Sequence, residues 1–432
     1  MPARMAAPGC RAESAGVTGN SRYIRARLVA AVALAAAALA VGSAPAARAQ
    51  PPAAAEQQAF FERLWPAAQA RGISRALLER TAAGFAPDPD VIELALLQPE
   101  HGKAVGTYVT ERVSQARIDA GRELALKHAQ LLEAIEATYG VDRHILLAIW
   151  GVESRYGAEM GSRSVIRSLA TLAMMDERRT GLWTRELIAA LRMLQDGAIA
   201  PERFVGSWAG AVGHMQFIPS TFNARAVDFD KDGRRDVWGS VADALASAAN
   251  YLRASGWVAG TPWGLEVTLP GDFDFAWSSP DRARTTAEWR AAGVRAAAAT
   301  GDAPPGQPYR LVLPAGAQGP AFLVSGNFRA LLRYNQSTAY ALAVGHLADR
   351  IAGDAALAAP WPADDTPLSR AQRQELQGLL ATRGLDTGGL DGIIGDRTRD
   401  AIRATQRSLN LAEDGHPSVD LLQRLRGSSD AP

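Results

Sequence analysis

The chain has 432 residues, of which 47% are hydrophobic and 21% are charged, a balance typical of a globular protein with room for two or three domains. Its 46 basic and 45 acidic residues leave a formal net charge of +1, which argues against a general nucleic-acid-binding protein, because such proteins carry a basic excess or patch. The single cysteine, Cys10, excludes a disulfide scaffold and a cysteine-rich zinc site.

Residues 1–49 have the pattern of a secretory signal peptide preceded by an N-terminal extension. Arg22, Arg25 and Arg27 precede an apolar run of 14 residues at 28–41, and an Ala-x-Ala cleavage site ends at Ala49. A membrane anchor is the alternative, but a spanning helix needs roughly 20 apolar residues. Without this segment the chain carries 40 basic and 44 acidic residues and no cysteine for a lipid anchor. We expect an exported, periplasmic, soluble protein with no membrane span.

Residues 56–255 show mostly helical periodicity, and one predicted helix ends in a glutamate. Asp142 is a favourable N-cap for a helix that begins at Arg143, and Gly157 can end it. Glu153 lies on the same face of this helix as its apolar residues. Burial among apolar side chains and the partial negative charge at the helix C-terminus both raise the pKa of a carboxyl group. A protonated glutamate is what a general acid at a glycosidic oxygen requires. The alternative is that Glu153 is a surface glutamate that forms an ion pair with Arg155 or another basic residue.

Three further segments contain polar and aromatic residues in dense succession. They follow Glu153-Ser154-Arg155-Tyr156-Gly157 along the chain and span residues 206–222, 249–252 and 333–341.

An acidic loop at 228–236 has the spacing of a calcium-binding loop. Aspartates occupy positions 1, 3, 5 and 9 and glycine occupies position 6, as in the first part of an EF-hand. The predicted ligands are Asp228, Asp230, Asp232, the backbone carbonyl of Arg234, and Asp243, which could replace the missing glutamate at position 12. The alternative is a solvated acidic turn neutralised by the neighbouring basic residues.

The residue pattern changes from helical to strand-like after residue 257. Short strands are predicted at 265–269, 309–313 and 321–324, followed by one helical segment over Phe328–Ile351. Residues 352–367 contain three prolines and three acids and are predicted to be a flexible linker. A compact unit at 368–428 then combines helical patterns with a glycine-rich turn at 388–395, and it is too small to hold much of an active site.

The succession of motifs within residues 50–351 resembles the membrane-bound lytic transglycosylase B family of peptidoglycan-cleaving enzymes. This resemblance implies a mainly α fold, with a lysozyme-like catalytic core and a small β-containing subdomain. The C-terminal unit resembles a three-helix peptidoglycan-binding domain, which would tether the enzyme to its substrate. A purely structural helical cap is the alternative for that unit.

The resemblance implies cleavage of the β-1,4 bond between N-acetylmuramic acid and N-acetylglucosamine in peptidoglycan strands. Glu153 would act first as general acid and then as base toward the muramic C6 hydroxyl, giving 1,6-anhydromuramic ends without a cofactor. The matching motifs contain no second acid, and Glu159 is interpreted as a surface residue. A hydrolytic muramidase on the same core and a non-catalytic wall-binding protein are the alternatives, although the latter is expected to have lost the glutamate.

The resemblance also implies a set of substrate-binding residues and a structural calcium at the acidic loop. Two positions depart from the family pattern: His214 stands where glutamine is frequent, and Leu182-Trp183 replaces an expected aromatic pair. These departures concern subsite preference. The implied glycan-binding residues are Ser207, Met215, Gln216, Tyr251, Tyr334, Asn335 and Tyr340.

Overall fold

The structure is a computed structural model that describes residues 52–97, 103–278, 282–297 and 304–427. The predicted signal peptide and its cleavage site lie outside the described residues. All described residues belong to one compact unit, which begins at Pro51. In these ranges no helix combines the length and the apolar composition needed to cross a membrane.

The architecture is mainly α-helical, as predicted from the sequence. The helices, numbered along the chain, are α1 (Ala54–Gln69), α2 (Arg75–Ala83), α3 (Pro89–Leu97), α4 (Val105–Arg112), α5 (Gln115–Lys127), α6 (Ala129–Tyr139), α7 (Arg143–Ser154), α8 (Val165–Met175), α9 (Thr180–Gln195), α10 (Pro219–Arg225), α11 (Val241–Ala254), α12 (Thr286–Ala291), α13 (Gly326–Tyr334), α14 (Thr338–Ala352), α15 (Arg370–Ala381), α16 (Asp396–Ser408) and α17 (Val419–Gly427).

Helix α7 lies at the centre of the main hydrophobic core. It begins where predicted, because the Asp142 carboxylate accepts the backbone N–H groups of His144 and Ile145 at 2.7 and 3.3 Å. Every residue from Ile145 to Val152 is buried, so this helix is apolar on all sides. Its most extensive packing is against α14. The central position of α7 therefore fixes the place of the glutamate near its C-terminus.

Short strands form the β-containing part of the fold. They are β1 (Arg163–Ser164), β2 (Val205–Gly206), β3 (Gly264–Thr268), β4 (Arg295–Ala296), β5 (Arg310–Val312), β6 (Pro314–Ala317) and β7 (Ala321–Val324). Strands β4, β3, β7 and β5 form an antiparallel sheet in that order, with Leu265 opposite Leu323 and Leu311 opposite Leu323 on the other side. The three strands predicted in this region are present to within one or two residues. One face of the sheet covers a second apolar core that includes Trp289 and Tyr309.

The predicted single helical segment over Phe328–Ile351 is wrong in one respect, because it consists of two helices, α13 and α14. Asn335 adopts an extended conformation at the end of α13, and the Ser337 side chain caps α14 by accepting the backbone N–H of Tyr340. Neither residue is a Gly or Pro, so the periodicity did not reveal the break. The interruption brings Tyr334 and Tyr340 onto the same side of the site.

Residues 353–367, here called the interdomain segment, pack against helices and strands that precede them in the chain. The Trp361 indole lies so close to Gly106 of α4 that a Cβ on that glycine would be 2.6 Å from the ring. The Glu266 carboxylate accepts the backbone N–H groups of Ala358 and Ala359, each at 2.8 Å. These contacts contradict the prediction that this segment is a flexible linker.

Helices α15 to α17 form the predicted three-helix unit around a separate apolar core that includes Leu376, Ile402 and Leu422. This unit also contacts the residues before it. The Asp414 carboxylate accepts the backbone N–H of Ala317 at 2.7 Å, and the His416 ring lies 2.9 Å from the Asp365 carboxylate.

Candidate active site

Glu153 is the penultimate residue of α7, and its side chain is half-buried. The Tyr340 hydroxyl, at the start of α14, donates a hydrogen bond to Glu153 Oε1 at 2.6 Å. Because α7 packs more extensively against α14 than against any other described element, the two side chains are held by rigid elements. A half-buried carboxyl group with a fixed hydroxyl partner is suited to proton transfer at a bound glycan.

The chain turns sharply after Glu153. Helix α7 ends at Ser154, earlier than the predicted stop at Gly157, because Arg155 and Tyr156 both adopt left-handed conformations with φ of 47° and 57°. For a non-glycine residue, that conformation costs on the order of 1–2 kcal/mol. Arg155 forms a solvent-exposed ion pair with Glu159 at 3.0 Å. Glu159 is therefore an exposed, paired residue, as the sequence interpretation expected.

The turn after Glu153 is attached to the segment 206–217 through Ser154 and His214. The buried Ser154 hydroxyl donates to His214 O at 2.7 Å and accepts the Gly157 N–H at 3.0 Å. Gly157 has no space for a side chain, because a Cβ would lie 2.4 Å from the His214 ring. Ser154 was not predicted to be a functional residue, and its position beside the glutamate was the only available signal.

His214 is a buried structural residue behind the glutamate. Trp150 Nε1 donates to His214 Nδ1 at 3.0 Å, which requires that this nitrogen carries no proton. Burial lowers the pKa of His214, while the nearby Asp236 acts in the opposite direction. The His214 ring therefore contacts Trp150 and Gly157 beneath the turn.

The segment 206–217 contains two tight turns: the Ser207 N–H donates to Ala211 O at 2.8 Å, and an antiparallel bridge joins Val212 and Phe217. The Ser207 hydroxyl accepts the Ala211 N–H at 3.0 Å. Gln216 has a left-handed backbone with φ of 47°, and its side-chain amide donates to Gly213 O at 2.9 Å and to Met160 O at 3.2 Å. Met215 is fully buried, and its carbonyl accepts the Tyr334 hydroxyl at 2.7 Å.

Three of the predicted substrate-binding residues form a tyrosine cluster next to Glu153. The Tyr334 and Tyr340 rings are stacked with centroids 6.3 Å apart and planes 9° apart, and the Tyr251 ring meets Tyr334 edge-on at 5.0 Å. Burial and then the charge of Glu153 raise the pKa values of Tyr334 and Tyr340 well above the ordinary range. Both hydroxyls are therefore protonated donors at neutral pH.

Asn335 and the pair Leu182-Trp183, which departs from the family pattern, lie in different parts of the fold. Asn335 is half-buried at the break between α13 and α14, directly after Tyr334. Trp183 is buried, and its indole N–H donates to the Asp176 carboxylate at 3.0 Å, while Leu182 packs against the main core. The indole N–H of Trp183 thus already has a partner within the protein.

The acidic loop brings three of the five predicted metal ligands together. Carboxylate oxygens of Asp228, Asp230 and Asp232 all lie within 4.8 Å of one another. Asp243 is fully buried and separate from this group, since its two oxygens accept backbone N–H groups from Phe229, at 2.7 Å, and from Asp236, at 2.8 Å. Burial raises its pKa, which these hydrogen bonds counteract. The hydrogen bonds that Asp243 accepts therefore stabilise the conformation of the loop.

Taken together, the helical core, the small sheet and the glutamate beside a tyrosine cluster define a lysozyme-like glycan-cleaving domain. Comparison with known proteins gives its family. Residues 56–349 match the model of the Transglycosylase SLT domain, and residues 369–425 match a putative peptidoglycan-binding domain. The chain belongs to the transglycosylase SLT family of peptidoglycan lytic transglycosylases, which confirms the predicted family, fold class and enzyme class.

Three relatives show the extent of this similarity. The chain is 36% identical over 219 residues to membrane-bound lytic murein transglycosylase B of Escherichia coli K12, a match that covers 50% of this chain and 58% of the relative. It shares 47% identity with SltB3 from Pseudomonas aeruginosa, solved in complex with NAG-anhNAM-pentapeptide, over 86% of this chain and 99% of that one, with a TM-score of 0.81. It shares 28% identity with Slt35 of Escherichia coli, solved in complex with calcium, over 71% and 94% of the two chains, with a TM-score of 0.56.

Proposed function

We propose that this chain cleaves the β-1,4 bond between N-acetylmuramic acid and N-acetylglucosamine in peptidoglycan, with Glu153 as the only acid–base group. The protonated Glu153 donates its proton to the leaving glycosidic oxygen. The resulting carboxylate then takes the proton of the muramic C6 hydroxyl, whose oxygen closes on C1. The product carries a 1,6-anhydro ring, and no water or cofactor is consumed.

The hydrogen bond between Tyr340 and Glu153 is the observation that carries this proposal. It holds the Glu153 carboxyl group in a half-buried position beside the tyrosine cluster, where the glycosidic bond would lie. Hydrolysis with inversion would need a second carboxylate to activate water. Glu159, the acid that follows this motif, is exposed and paired with Arg155, and so is unsuited to that role.

The tyrosine cluster and the loop 206–217 support a groove for glycan rings next to Glu153. Tyr251 and Tyr334 are half-buried and offer aromatic surface of the kind that packs against sugar rings. Tyr340 is 1% exposed, so it would act through its hydroxyl contact with Glu153 and its stacking on Tyr334. Asn335, Ser207 and Gln216 are half-buried polar residues that complete the proposed groove. Met215 contributes through its main chain, since its side chain is buried.

Analysis of the products tests the reaction. Sacculi or soluble glycan strands are digested with the purified protein, and the fragments are separated and weighed. Fragments ending in 1,6-anhydromuramic acid, which are lighter than reducing ends by one water, support the proposal. Reducing ends would instead identify a hydrolytic muramidase on the same core.

We propose a structural calcium ion at the acidic loop. Three clustered carboxylates and a loop backbone turned by Gly233, at φ of 90°, suit a hard cation that prefers oxygen ligands. Asp228, Asp230 and Asp232 would supply carboxylate oxygens and Arg234 its carbonyl, with Asp243 shaping the loop. Such an ion would stabilise the fold and take no part in proton transfer.

The remaining proposals concern location and tethering. The charged, apolar and small-residue pattern of residues 1–49 supports export to the periplasm with cleavage near Ala49. The three-helix unit at 368–428 would bind peptidoglycan and keep the catalytic residues near their substrate. Because the interdomain segment is packed, this second contact would be held in a fixed place instead of on a flexible tether.

A further inference from the structure

The turn that follows Glu153 is held by a residue from a different helix. Arg117 of α5 is 8% exposed, and its guanidinium Nε donates to Gly151 O, in the last turn of α7, at 2.9 Å. The Arg117 carbonyl accepts the Tyr156 hydroxyl at 2.8 Å. One residue therefore contacts α7 two residues before Glu153 and the chain three residues after it.

The charge of Arg117 is balanced by helix C-termini. Its Nη1 donates to the carbonyls of Glu111 and Arg112, at 3.0 and 2.6 Å, which are the last two residues of α4. Carbonyl groups at helix C-termini lack intrahelical partners and carry partial negative charge, so they can accept a cation. Burial is the main cause that lowers the pKa of Arg117, with Arg112 and Arg155 adding to it. The guanidinium thus joins the ends of α4 and α7.

The backbone that Arg117 holds is strained. Tyr156 N–H reaches back to Trp150 O at 3.2 Å, which closes α7 with Arg155 in the left-handed position that glycine usually occupies. Tyr156 is left-handed as well, and its ring fills the space over Gly151, where a Cβ would lie 2.7 Å from the ring. The hydroxyl bond to Arg117 fixes that ring. Such a conformation persists only where surrounding contacts determine it.

We infer that Arg117 and Tyr156 form a clamp that positions Glu153 for proton transfer. Arg117 acts through Gly151 and Tyr156, so it is a positioning residue and not a catalytic one. Without the clamp the last turn of α7 can relax toward regular helix, which moves the Glu153 carboxyl relative to the tyrosine cluster. This inference rests on the proposed role of Glu153. Small displacements of a reacting group can lower turnover by about a hundredfold.

The test compares kcat, KM and thermal stability of variants on a soluble glycan substrate. Arg117→Met removes the guanidinium, Arg117→Lys keeps the charge without the fork of donors, and Tyr156→Phe removes only the hydroxyl. Arg122→Met is the matched control, because Arg122 lies on the same helix and donates to a backbone carbonyl, that of Arg350, at the far end of α14.

We expect kcat of Arg117→Met to fall about ten- to a hundredfold with KM changed less than about threefold. Arg117→Lys should recover part of that loss, and Tyr156→Phe should lose about fivefold. Arg122→Met should lower the melting temperature while leaving kcat unchanged. The inference is overturned if Arg117→Met and Arg117→Lys keep wild-type kcat, or if Arg122→Met loses as much turnover at an equal loss of stability.

A Glu153→Gln variant assayed in parallel separates this inference from the proposed function. If Glu153→Gln keeps wild-type turnover, the proposed function is wrong. If Glu153→Gln is inactive while Arg117→Met keeps full kcat, only the clamp is wrong. Should Arg117→Met fail to fold, the split between kcat and KM in Arg117→Lys and Tyr156→Phe decides the question.

Discussion

Trp361 of the interdomain segment lies against Gly106 of α4, with no room for a side chain on the glycine. Helix α4 packs in turn against α14, the helix that begins near Tyr340 and holds the hydroxyl partner of Glu153. The interdomain segment therefore supports the candidate site indirectly, through its packing on α4. It joins the three-helix unit to the catalytic residues by packed contacts.

The first prediction concerns where the chain can be cut. A protein ending after Pro367 keeps Trp361 and should cleave short glycans at close to the full-length rate. A protein ending after Ala352 exposes the surface that Trp361 covers and should melt at a clearly lower temperature, with reduced activity. Calorimetry and turnover on short glycans measure both effects. Equal stability and activity of the two truncated proteins would show that the interdomain segment contributes nothing.

The second prediction concerns the Tyr340 hydroxyl. Tyr340→Phe keeps the ring and removes the hydrogen bond to Glu153, so kcat should fall about tenfold, corresponding to the loss of one hydrogen bond to a charged group. Tyr309→Phe is the control, because Tyr309 is equally buried and its hydroxyl accepts from Gln307 in the second core. Its kcat should stay at the wild-type value. An unchanged kcat for Tyr340→Phe would refute a role for this hydroxyl in positioning Glu153.

The third prediction concerns pH and Asp349, which is half-buried near the end of α14. Burial raises its pKa to about 8 from the ordinary value of 3.8, and Trp263 Nε1 lies 3.1 Å from both carboxylate oxygens. Between these two values the folded protein holds a proton that the unfolded chain releases, so this group favours folding at low pH and loses that effect as pH rises toward 8.

Asp349→Asn keeps an acceptor for Trp263 and removes the titration. The variant should gain stability relative to wild type as pH rises from 5 to 8, by an amount on the order of a few kcal/mol. Denaturant unfolding at both pH values measures the difference. A stability difference between the two proteins that does not vary with pH would show that Asp349 titrates normally.

The fourth prediction concerns the acidic loop. If a cation binds Asp228, Asp230 and Asp232, saturating calcium should raise the melting temperature of metal-free protein, because it binds the folded state. The Asp228→Ala, Asp232→Ala double variant should lose this response, and Asp272→Ala, at an exposed acid elsewhere, should keep it. Identical melting curves with calcium and with chelator would favour a solvated acidic turn.

The central helix and its glutamate could be predicted from the sequence because their signals are local. An N-cap, an apolar run and an acid at helical spacing are sufficient to place Glu153 at the end of α7. Strands β3, β5 and β7 were predicted for the same reason, since each lies in a short run that includes β-branched or aromatic residues, whereas β1, β2, β4 and β6 were not predicted. The C-terminal unit was predicted from helical periodicity around a glycine-rich turn.

The other features could not be predicted from local hydrophobic periodicity. The break between α13 and α14 depends on the extended backbone of Asn335 and the cap by Ser337, within a pattern that remains helical on either side. Trp361 stands among prolines, acids and alanines, and only its contact with Gly106 shows that the segment is packed. Arg117 and Tyr156 meet across 39 positions of sequence, which no local pattern reveals.

The most direct test of the account is the digestion of sacculi by the wild type and by Glu153→Gln, with Asp142→Asn as a control at the other end of the same helix. Mass spectrometry of the released muropeptides is the measurement. Wild type and Asp142→Asn should release fragments with 1,6-anhydromuramic ends, and Glu153→Gln should release at least about a hundredfold less, as expected for loss of a general acid–base group. Release of anhydro products by Glu153→Gln at a rate near that of wild type would contradict the central claim.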